Sequence, residues 1–253
     1  MKRCAAAAVM LGLLSCSHAP ITGRKQLLLL SPSEEKQLGE QAFQQIISTE
    51  KVDTDPAVNG LVTRVGERIA TATGKTDYQW QFKVIEKNQA NAFCLPGGKV
   101  VVFTGILPLT RDEAGLATVL GHEIAHAVAR HGGERVSEDL LVNVGLTAVQ
   151  LGMGNHDPQT IRTVTGLLGA GVAVGVELPF SRAQESEADH LGLIYMAKAG
   201  YDPRAALSFW ERMEQTQKGS APPELLSDHP ADAKRIQQIK EWMPEALKDY
   251  RPR

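Results

Sequence analysis

Apolar residues recur at helical spacing in two early stretches of the chain. In the segment 31–48, SPSEEKQLGEQAFQQIIS, the apolar positions Leu38, Phe43 and Ile46 follow a Ser/Pro/Ser helix-start signal. A second amphipathic stretch, DPAVNGLVTRVGERIATA, follows over 55–72. Each pattern predicts a helix with one buried face.

The pattern then changes to one typical of strands. YQWQFKVIE (78–86) alternates between polar and apolar residues, and KVVVF (99–103) is rich in β-branched residues. A turn-forming LPGG lies at 95–98, so a small sheet is predicted here. The run at 99–103 is either an edge strand that pairs with an extended peptide substrate or an ordinary internal strand.

From Thr110 onward the pattern is helical again. Thr110 and Glu113 have the spacing of a capping box in front of AGLATVLGHEIAHAVARH (114–131), which predicts the start of a helix there. Residues 140–176 are the most apolar part of the chain after residue 15, and they predict either a buried helical hairpin or a mobile lid or membrane-dipping element. The whole pattern predicts a mostly helical α+β fold, with a small sheet beside the helix at 114–131.

The first fifteen residues have the pattern of an export signal. A basic start precedes an apolar run over 5–14 that is too short to span a bilayer, and LLSC ends it like a bacterial lipobox. We therefore predict a signal peptide at 1–15, lipidation of Cys16 and a single domain over 16–253. Ser17 favours sorting to the outer membrane. The alternatives are an ordinary signal peptide cleaved near SHA-P or a weak N-terminal anchor.

Composition narrows the range of partners. The chain has 29 acidic and 27 basic residues, which is not the basic balance typical of nucleic-acid binding. Of its three cysteines, Cys4 lies in the signal and Cys16 is predicted to carry lipid, so Cys94 has no partner for an intramolecular disulfide. We assign Cys94 no catalytic role.

The stretch LGHEIAHAVARH (120–131) contains the pattern His-Glu-x-x-His. On a helix, His122 and His126 lie on one face and can bind one metal ion. Glu123 is then placed to take a proton from water and deliver it later to a leaving amine. The pentapeptide alone is not decisive, but its apolar surroundings and the export signal favour a metal site. Zinc is the ion that these ligand types prefer.

His131 is a less suitable third ligand. It lies five residues beyond His126, about 140° around an ideal helix. The extended motif that recruits a later histidine needs glycine and histidine where this chain has Ala129 and Gly132. We therefore expect His131 to point away from the metal and to interact with the last carbonyls of its helix.

A second helix is predicted at SRAQESEADHLG (181–192), which begins with a serine cap. Glu185 and Asp189 share a face of this helix. Glu185 would complete a His, His, Glu set and leave a fourth position for water, with Glu187 and His190 as alternative ligands. Asp189 would then accept a hydrogen bond from a histidine ligand and assist proton transfer.

HEIAH followed by SRAQESEAD resembles the gluzincin metallopeptidase family of the CAAX prenyl proteases and HtpX-type proteases, in its bacterial lipoprotein branch without a helical-repeat domain. The family's third ligand falls on Glu185, and its acid partner falls on Asp189. NAFCLPGGKVVVFTGIL and DHPADAKRI resemble two further family segments. The integral members have transmembrane helices, and the sequence predicts none here after the signal, so prenylated substrates are not implied.

The resemblance implies a zinc endopeptidase with one ion per chain. It also implies a lipid-anchored enzyme of the outer membrane that faces the periplasm and degrades misfolded or damaged envelope proteins. An assembly factor or chaperone that binds unfolded envelope proteins, with little proteolysis, is the alternative. Neither the substrate nor the oligomeric state follows from the sequence.

His229, in SDHPADAKR, is predicted to start a helix near the end of the chain. Taken alone, it is typical of a capping or solvated histidine. Combined with the resemblance, it becomes a candidate to occupy the open metal position or to stabilise an oxyanion, and Arg235 is a second candidate for the oxyanion role.

Overall fold

Blocks of short strands and helices follow one another along the first half of the chain. The computed structural model describes residues 16–139, 180–217, 223, 225–229 and 233–252. The predicted signal peptide at 1–15 and the apolar segment at 140–176 lie outside the described residues. The fold is α+β and mostly helical, which confirms the predicted class.

Contacts between residues divide the chain into two compact units. The described part of the first unit comprises residues 16–32 and 133–139. In it, β1 (Cys16–His18) pairs antiparallel with β2 (Lys25–Leu27). Arg24 donates hydrogen bonds of 2.6 and 2.8 Å to the two carboxylate oxygens of Glu134, which joins this ribbon to the helical stretch in the same unit.

The second unit comprises the described residues of 33–132 and 180–252. Its first two helices are α1 (Pro32–Thr49), of which all but Pro32 lies in this unit, and α2 (Pro56–Thr73), which confirms both predicted helices. The side chain of Asp55 accepts a hydrogen bond from the Ala57 N–H at the start of α2. Gly74 ends the helix with a φ of 69°, a left-handed conformation that glycine adopts at little cost.

Three strands form the sheet beside these helices: β3 (Gln81–Ile85), β4 (Ala92–Leu95) and β5 (Lys99–Phe103). Their order is β3-β5-β4, with β3 parallel and β4 antiparallel to β5. Because β5 lies between two strands and all its residues are buried, the edge-strand interpretation of 99–103 is wrong. The internal-strand alternative is correct.

A four-residue turn, α3 (Leu107–Thr110), leads into α4 (Glu113–Val128), the helix that contains the His-Glu-x-x-His pattern. The predicted cap at Thr110 is wrong by two residues. Asp112 caps α4 by accepting a 2.8 Å hydrogen bond from the Gly115 N–H. The Thr110 hydroxyl instead donates to the carbonyl of Leu107 in the preceding turn, so it is not available to cap α4.

The rest of the unit is helical. Its helices are α5 (Arg182–Lys198), α6 (Arg204–Gln217), α7 (Leu225–Asp228) and α8 (Ala233–Asp249). Ser181 and Gln184 form a capping box at the start of α5, which confirms the serine cap predicted there. Among the described residues, no helix has the length and apolar character needed to cross a membrane.

The two helices α4 and α5 approach each other closely. A side chain on Gly121 would meet the carbonyl oxygen of Gly192 at 3.0 Å, and one on Gly192 would meet the backbone nitrogen of His122 at 3.0 Å. Every α4 residue from Gly115 to Val128 is buried. The metal-binding pattern is therefore part of the core, with α5 packed directly against it.

Candidate metal centre

Four buried side chains from three elements offer ligand atoms to a single point. They are His122 and His126 of α4, Glu185 of α5, and His229, which directly follows α7. Their ligand atoms all lie within 4.8 Å of one another. Neutral histidine nitrogens and a carboxylate are the donor set of catalytic zinc sites.

The spacing of these atoms fits a zinc ion. The Nε2 atoms of His122 and His126 are 3.1 Å apart, and Glu185 Oε1 lies 3.2 Å from His126 Nε2. Two ligands that each bind tetrahedral zinc at about 2.0–2.1 Å lie roughly 3.3 Å from each other. The structure thus brings together the two histidines and the glutamate that the sequence proposes as ligands.

Asp189 lies one turn beyond Glu185 on α5 and faces the other side of the first histidine. Its Oδ1 is 2.9 Å from His122 Nδ1, so it can accept that ring's N–H. Such a hydrogen bond holds the ring with Nε2 directed at the ion. This is the contact that the sequence predicts for Asp189.

Arg235, on α8, bridges the two carboxylates of α5. Its guanidinium lies 2.7 Å from Asp189 Oδ1 and 3.0 Å from Glu185 Oε2. It also stacks on Trp210, with the guanidinium carbon 3.3 Å from the ring centroid. One buried cation therefore holds the acid partner and the third ligand in a common geometry.

The electrostatics of Glu185 and His126 favour the protonation states that a metal needs, whereas those of His122 do not. Burial opposes ionisation of Glu185, but His229, His122 and Arg235 outweigh it, so the pKa of this carboxyl lies well below its usual range. Burial lowers the pKa of His126 well below its ordinary value, which keeps that ring neutral. At His122 burial again acts to lower the pKa, but Glu185 and Asp189 outweigh it and the net pKa is raised. A metal would have to displace a proton from this ring.

Glu123 and His229 lie close to each other at the same centre. His229 Nε2 is 3.5 Å from Glu123 Oε1, and its Nδ1 is 2.7 Å from Glu185 Oε1. The His229 N–H donates to the carbonyl of Leu225, so this residue ends the turn of α7. The prediction that it also starts the next helix concerns residues 230–232, which lie outside the described residues, while its approach to the metal cluster is what the resemblance suggests.

His131 is not part of the ligand group, as predicted, but the expected interaction with the last carbonyls of its helix is wrong, because the ring lies behind His126 and contacts side chains. Its ring is fully buried, with Nδ1 3.0 Å from His126 Nδ1 and Nε2 2.9 Å from Glu187 Oε2. The error comes from assuming an unbroken helix. Helix α4 ends at Val128, and Arg130 has a left-handed φ of 59°, which turns the next residue back toward His126.

The left-handed Arg130 contacts a residue that is distant in the sequence. The guanidinium of Arg130 donates hydrogen bonds of 3.0 and 2.8 Å to the two carboxylate oxygens of Glu35, which is buried on α1. A positive φ is costly for a residue with a side chain, and this bidentate contact offsets the cost. The sequence around His131 contains no signal for it.

The alternatives to Glu185 as third ligand lie outside the cluster. Glu187 contacts His131, and His190 points to α8, where its Nε2 is 2.8 Å from Glu245 Oε2. Cys94 lies on β4, where burial and the charge of Glu123 raise the pKa of its thiol well above the usual value. A thiol kept protonated is neither a nucleophile nor a metal ligand.

The site has the make-up of a metallopeptidase centre. His122 and His126 of α4 and Glu185 of α5 are the ligands, and a second buried glutamate, Glu123, lies at the same centre. The chain belongs to Peptidase family M48, whose profile matches residues 56–243. The M48 metallopeptidases are zinc-dependent, and this protein is a metalloendopeptidase.

Several named proteins resemble the chain over most of its length. It is 39% identical over 236 residues to the mitochondrial metalloendopeptidase OMA1 of Schizosaccharomyces pombe, covering 90% of this chain. It is 32% identical over 242 residues to the mitochondrial metalloendopeptidase OMA1 of Homo sapiens, covering 91%. It is 30% identical over 249 residues to the beta-barrel assembly-enhancing protease of Escherichia coli K12, covering 93%.

The match covers different shares of these relatives. It spans 67% of the fission yeast protein, 46% of the human protein and 50% of the E. coli protein. The resemblance therefore concerns the metallopeptidase portion that they share with this chain.

Proposed function

We propose that this protein is a zinc endopeptidase that hydrolyses misfolded or damaged proteins of the bacterial envelope. The observation that carries the chemistry is the buried convergence of His122, His126 and Glu185, with the Glu123 carboxylate at the same centre. The relatives named for beta-barrel assembly and for mitochondrial metalloendopeptidase activity support protein substrates.

The residues divide the hydrolytic work among them. His122, His126 and Glu185 would hold one zinc ion, which when bound polarises the scissile carbonyl and promotes ionisation of water. Glu123 takes a proton from the attacking water at its carboxylate and later delivers it to the leaving amine. Asp189 keeps the His122 ring in position and assists this proton transfer.

Arg235 and His229 are the groups that can meet negative charge developing on the substrate. Arg235 lies 3.3 Å from His122 Nε2, so its positive charge is close to the reacting centre. His229 Nε2 is directed at Glu123 and can donate a hydrogen bond to an oxyanion when its ring carries a proton there.

The first residues of the chain support a proposal for the location of the enzyme. We propose that residues 1–15 direct export, that Cys16 becomes the lipidated first residue of one domain over 16–253, and that the lipid anchors the protein to the outer membrane facing the periplasm. Labelling cells with an alkyne fatty acid should mark the wild type and leave a Cys16→Ala variant unmarked. A labelled Cys16→Ala variant would contradict the proposed anchor.

The test of the proposed function is Glu123→Gln. This variant keeps the size of the side chain and the zinc ligands but removes the proton acceptor, so casein cleavage should fall by roughly 10²- to 10⁴-fold. Zinc content should remain one ion per chain. Glu113→Gln, at the exposed start of the same helix, is the matched control and should cleave casein at the wild-type rate.

Peptidomics of the periplasm then tests the substrate class. Peptides from envelope proteins that appear with the wild type and vanish with Glu123→Gln support the proposal. Equal peptide sets from the two strains would overturn it.

A second function is favoured by the position of His229. Its Nδ1 lies 3.1 Å from His122 Nε2 and 2.7 Å from Glu185, so it reaches the corner of the cluster that water would use. A centre closed in this way suits an assembly factor or chaperone that binds envelope proteins and rarely cleaves them. His229→Ala should then increase casein cleavage, and cells that carry Glu123→Gln should keep the wild-type phenotype. Loss of the phenotype in Glu123→Gln supports the peptidase instead.

A further inference from the structure

Behind the second histidine ligand lies a buried pair of side chains that the proposed mechanism does not use. His131 has no solvent exposure and Glu187 is 2% exposed. The His131 ring lies between His126 and Glu187, at 3.0 Å from the one and 2.9 Å from the other. A carboxylate, a histidine and a proposed metal ligand thus form one line of hydrogen-bonding groups.

The direction of these hydrogen bonds follows from the metal geometry. Nε2 of His126 faces His122 Nε2 at 3.1 Å and Glu185 Oε1 at 3.2 Å, so this nitrogen must offer its lone pair to the ion. The proton of the neutral His126 ring is therefore on Nδ1, which donates to His131 Nδ1. His131 in turn carries its proton on Nε2 and donates it to the Glu187 carboxylate.

This arrangement admits one tautomer at each ring. If His131 carried its proton on Nδ1, two N–H groups would face each other at 3.0 Å and Glu187 would face a lone pair. An ionised Glu187 carboxylate excludes that state, because it has no proton to donate to that lone pair. Glu187 thus determines the tautomer of the ligand His126 through two successive hydrogen bonds, with His131 between them.

The ring of His126 is also held from one side by packing. The ring of Phe180 lies against it, with a centroid distance of 3.9 Å and an interplanar angle of 32°. Packing of this kind restricts the ring plane, but it cannot choose between the two nitrogens. The choice requires the hydrogen bond to His131.

We propose that His131 and Glu187 are positioning residues that fix the tautomer and ring orientation of His126 and thereby set the affinity of the centre for zinc. The inference rests on the proposed role of His126 as a zinc ligand. It gives α4 a second pair of supporting groups, since Asp189 and Arg235 already support His122 from the other side.

The test is the zinc affinity of the full chain, measured by competition with a chromogenic chelator. His131→Phe fills a similar volume without an acceptor and should weaken zinc binding by about 10- to 100-fold. His131→Asn places an amide oxygen near the position of Nδ1 and should recover most of that loss. Rescue by asparagine separates positioning from packing, because asparagine fills the space less well than phenylalanine does.

Glu187→Gln keeps the shape of the side chain and tests the far end of the pair. Without the negative charge, His131 is free to reverse its tautomer, so zinc binding should weaken. In a His131→Phe background the same change should have no further effect on zinc affinity, because Glu187 acts through the ring that has been removed. Additive losses would overturn the proposal.

Glu245→Gln is the matched control. It alters a second histidine–glutamate pair, His190–Glu245, that also joins to α5 but contributes no atom to the ligand group found among the described residues. It should leave zinc affinity unchanged. If His131→Phe and Glu187→Gln also bind zinc as the wild type does, the positioning role is wrong.

Failure of the positioning role and failure of the proposed peptidase function give different experimental results. A wild-type chain that binds zinc but cleaves no casein would contradict the peptidase, while the affinity series would still decide the role of His131. A wild-type chain that cleaves casein, with His131→Phe equal to it in zinc affinity, would refute the positioning role alone.

Discussion

Arg235 is the single cation between two buried carboxylates among the described residues of the centre, and it contacts both Glu185 and Asp189. Removal of one partner from a buried ionic group costs more than removal of a surface charge, because the remaining charges lose their compensation. A zinc ion supplies compensation of its own. The cost of losing Arg235 should therefore depend on whether metal is bound.

We predict that Arg235→Met destabilises the metal-free chain by about 3–5 kcal/mol and the zinc-loaded chain by less. Thermal unfolding with and without chelator measures both values. Arg204→Met removes an exposed arginine that pairs with Asp202, and its Tm should stay near that of the wild type in both states. An equal loss in the two states at Arg235 would show that packing on Trp210, rather than charge, is its main contribution.

At the scale of elements, the centre depends on how closely α4 approaches α5. The ligands His122 and His126 come from one helix and Glu185 from the other, so the spacing between helices sets the spacing between ligands. Gly121 and Gly192 permit this approach, since a side chain at either position would meet backbone atoms that cannot rotate away.

We predict that Gly192→Ala pushes the two helices apart and weakens zinc binding. Overpacking of this kind also costs roughly 1–3 kcal/mol of stability. Gly60→Ala on α2 is the control, because a side chain there meets nothing within 4 Å and should stabilise the chain by about 0.5–1 kcal/mol. Zinc titration and thermal unfolding of both variants provide the comparison. A Gly192→Ala chain with wild-type zinc affinity would refute the role of the close approach.

Helices and caps that depend on nearby residues were predicted correctly more often than features that depend on distant ones. The helices at 31–48 and 55–72 and the cap at Ser181 depend on neighbours a few residues away, and the structure confirms them. The cap at Thr110 was wrong because Thr110 still belongs to the preceding turn, Arg111 has a left-handed φ of 67°, and α4 begins only after Asp112, whose side chain accepts the Gly115 N–H. The central place of β5 was undetermined because it depends on pairing with β3, which precedes it by eighteen residues in register.

At the scale of the whole molecule, a hydrophobic core extends well beyond the metal centre. Leu116, Leu120 and Ile124 of α4 are fully buried in a cluster that extends to α6 and α8. Burial of this extent stabilises the fold without an ion. Zinc should thus add to the stability of a chain that is already folded.

We predict that chelation abolishes cleavage reversibly and lowers Tm without loss of helical circular dichroism. With free zinc at 100 times its dissociation constant, binding contributes about 2.7 kcal/mol, which corresponds to roughly 5–10 °C for a chain of this size. Added zinc should restore both activity and Tm. A chelated chain with the circular dichroism of an unfolded protein would show instead that the metal is needed for folding.

Much of the candidate site could be predicted from the sequence because its parts are local. The i, i+4 spacing of His122 and His126 and the adjacent position of Glu123 follow from helical geometry. The spacing in the second helix favoured Glu185 but left Glu187 and His190 open, and the family resemblance supported the choice. Their roles in catalysis remain predictions.

By itself, the sequence determined the class of fold, the two helices that supply the ligands and the chemistry that those ligands can support. Only the tertiary structure decided that His131 turns back to His126, because the left-handed Arg130 that directs it is held by Glu35, 95 residues away. It also decided that Arg235 joins Glu185 to Asp189. Periodicity reports which residues share a helix face, whereas contacts between distant elements depend on how those elements pack, and no local pattern records that.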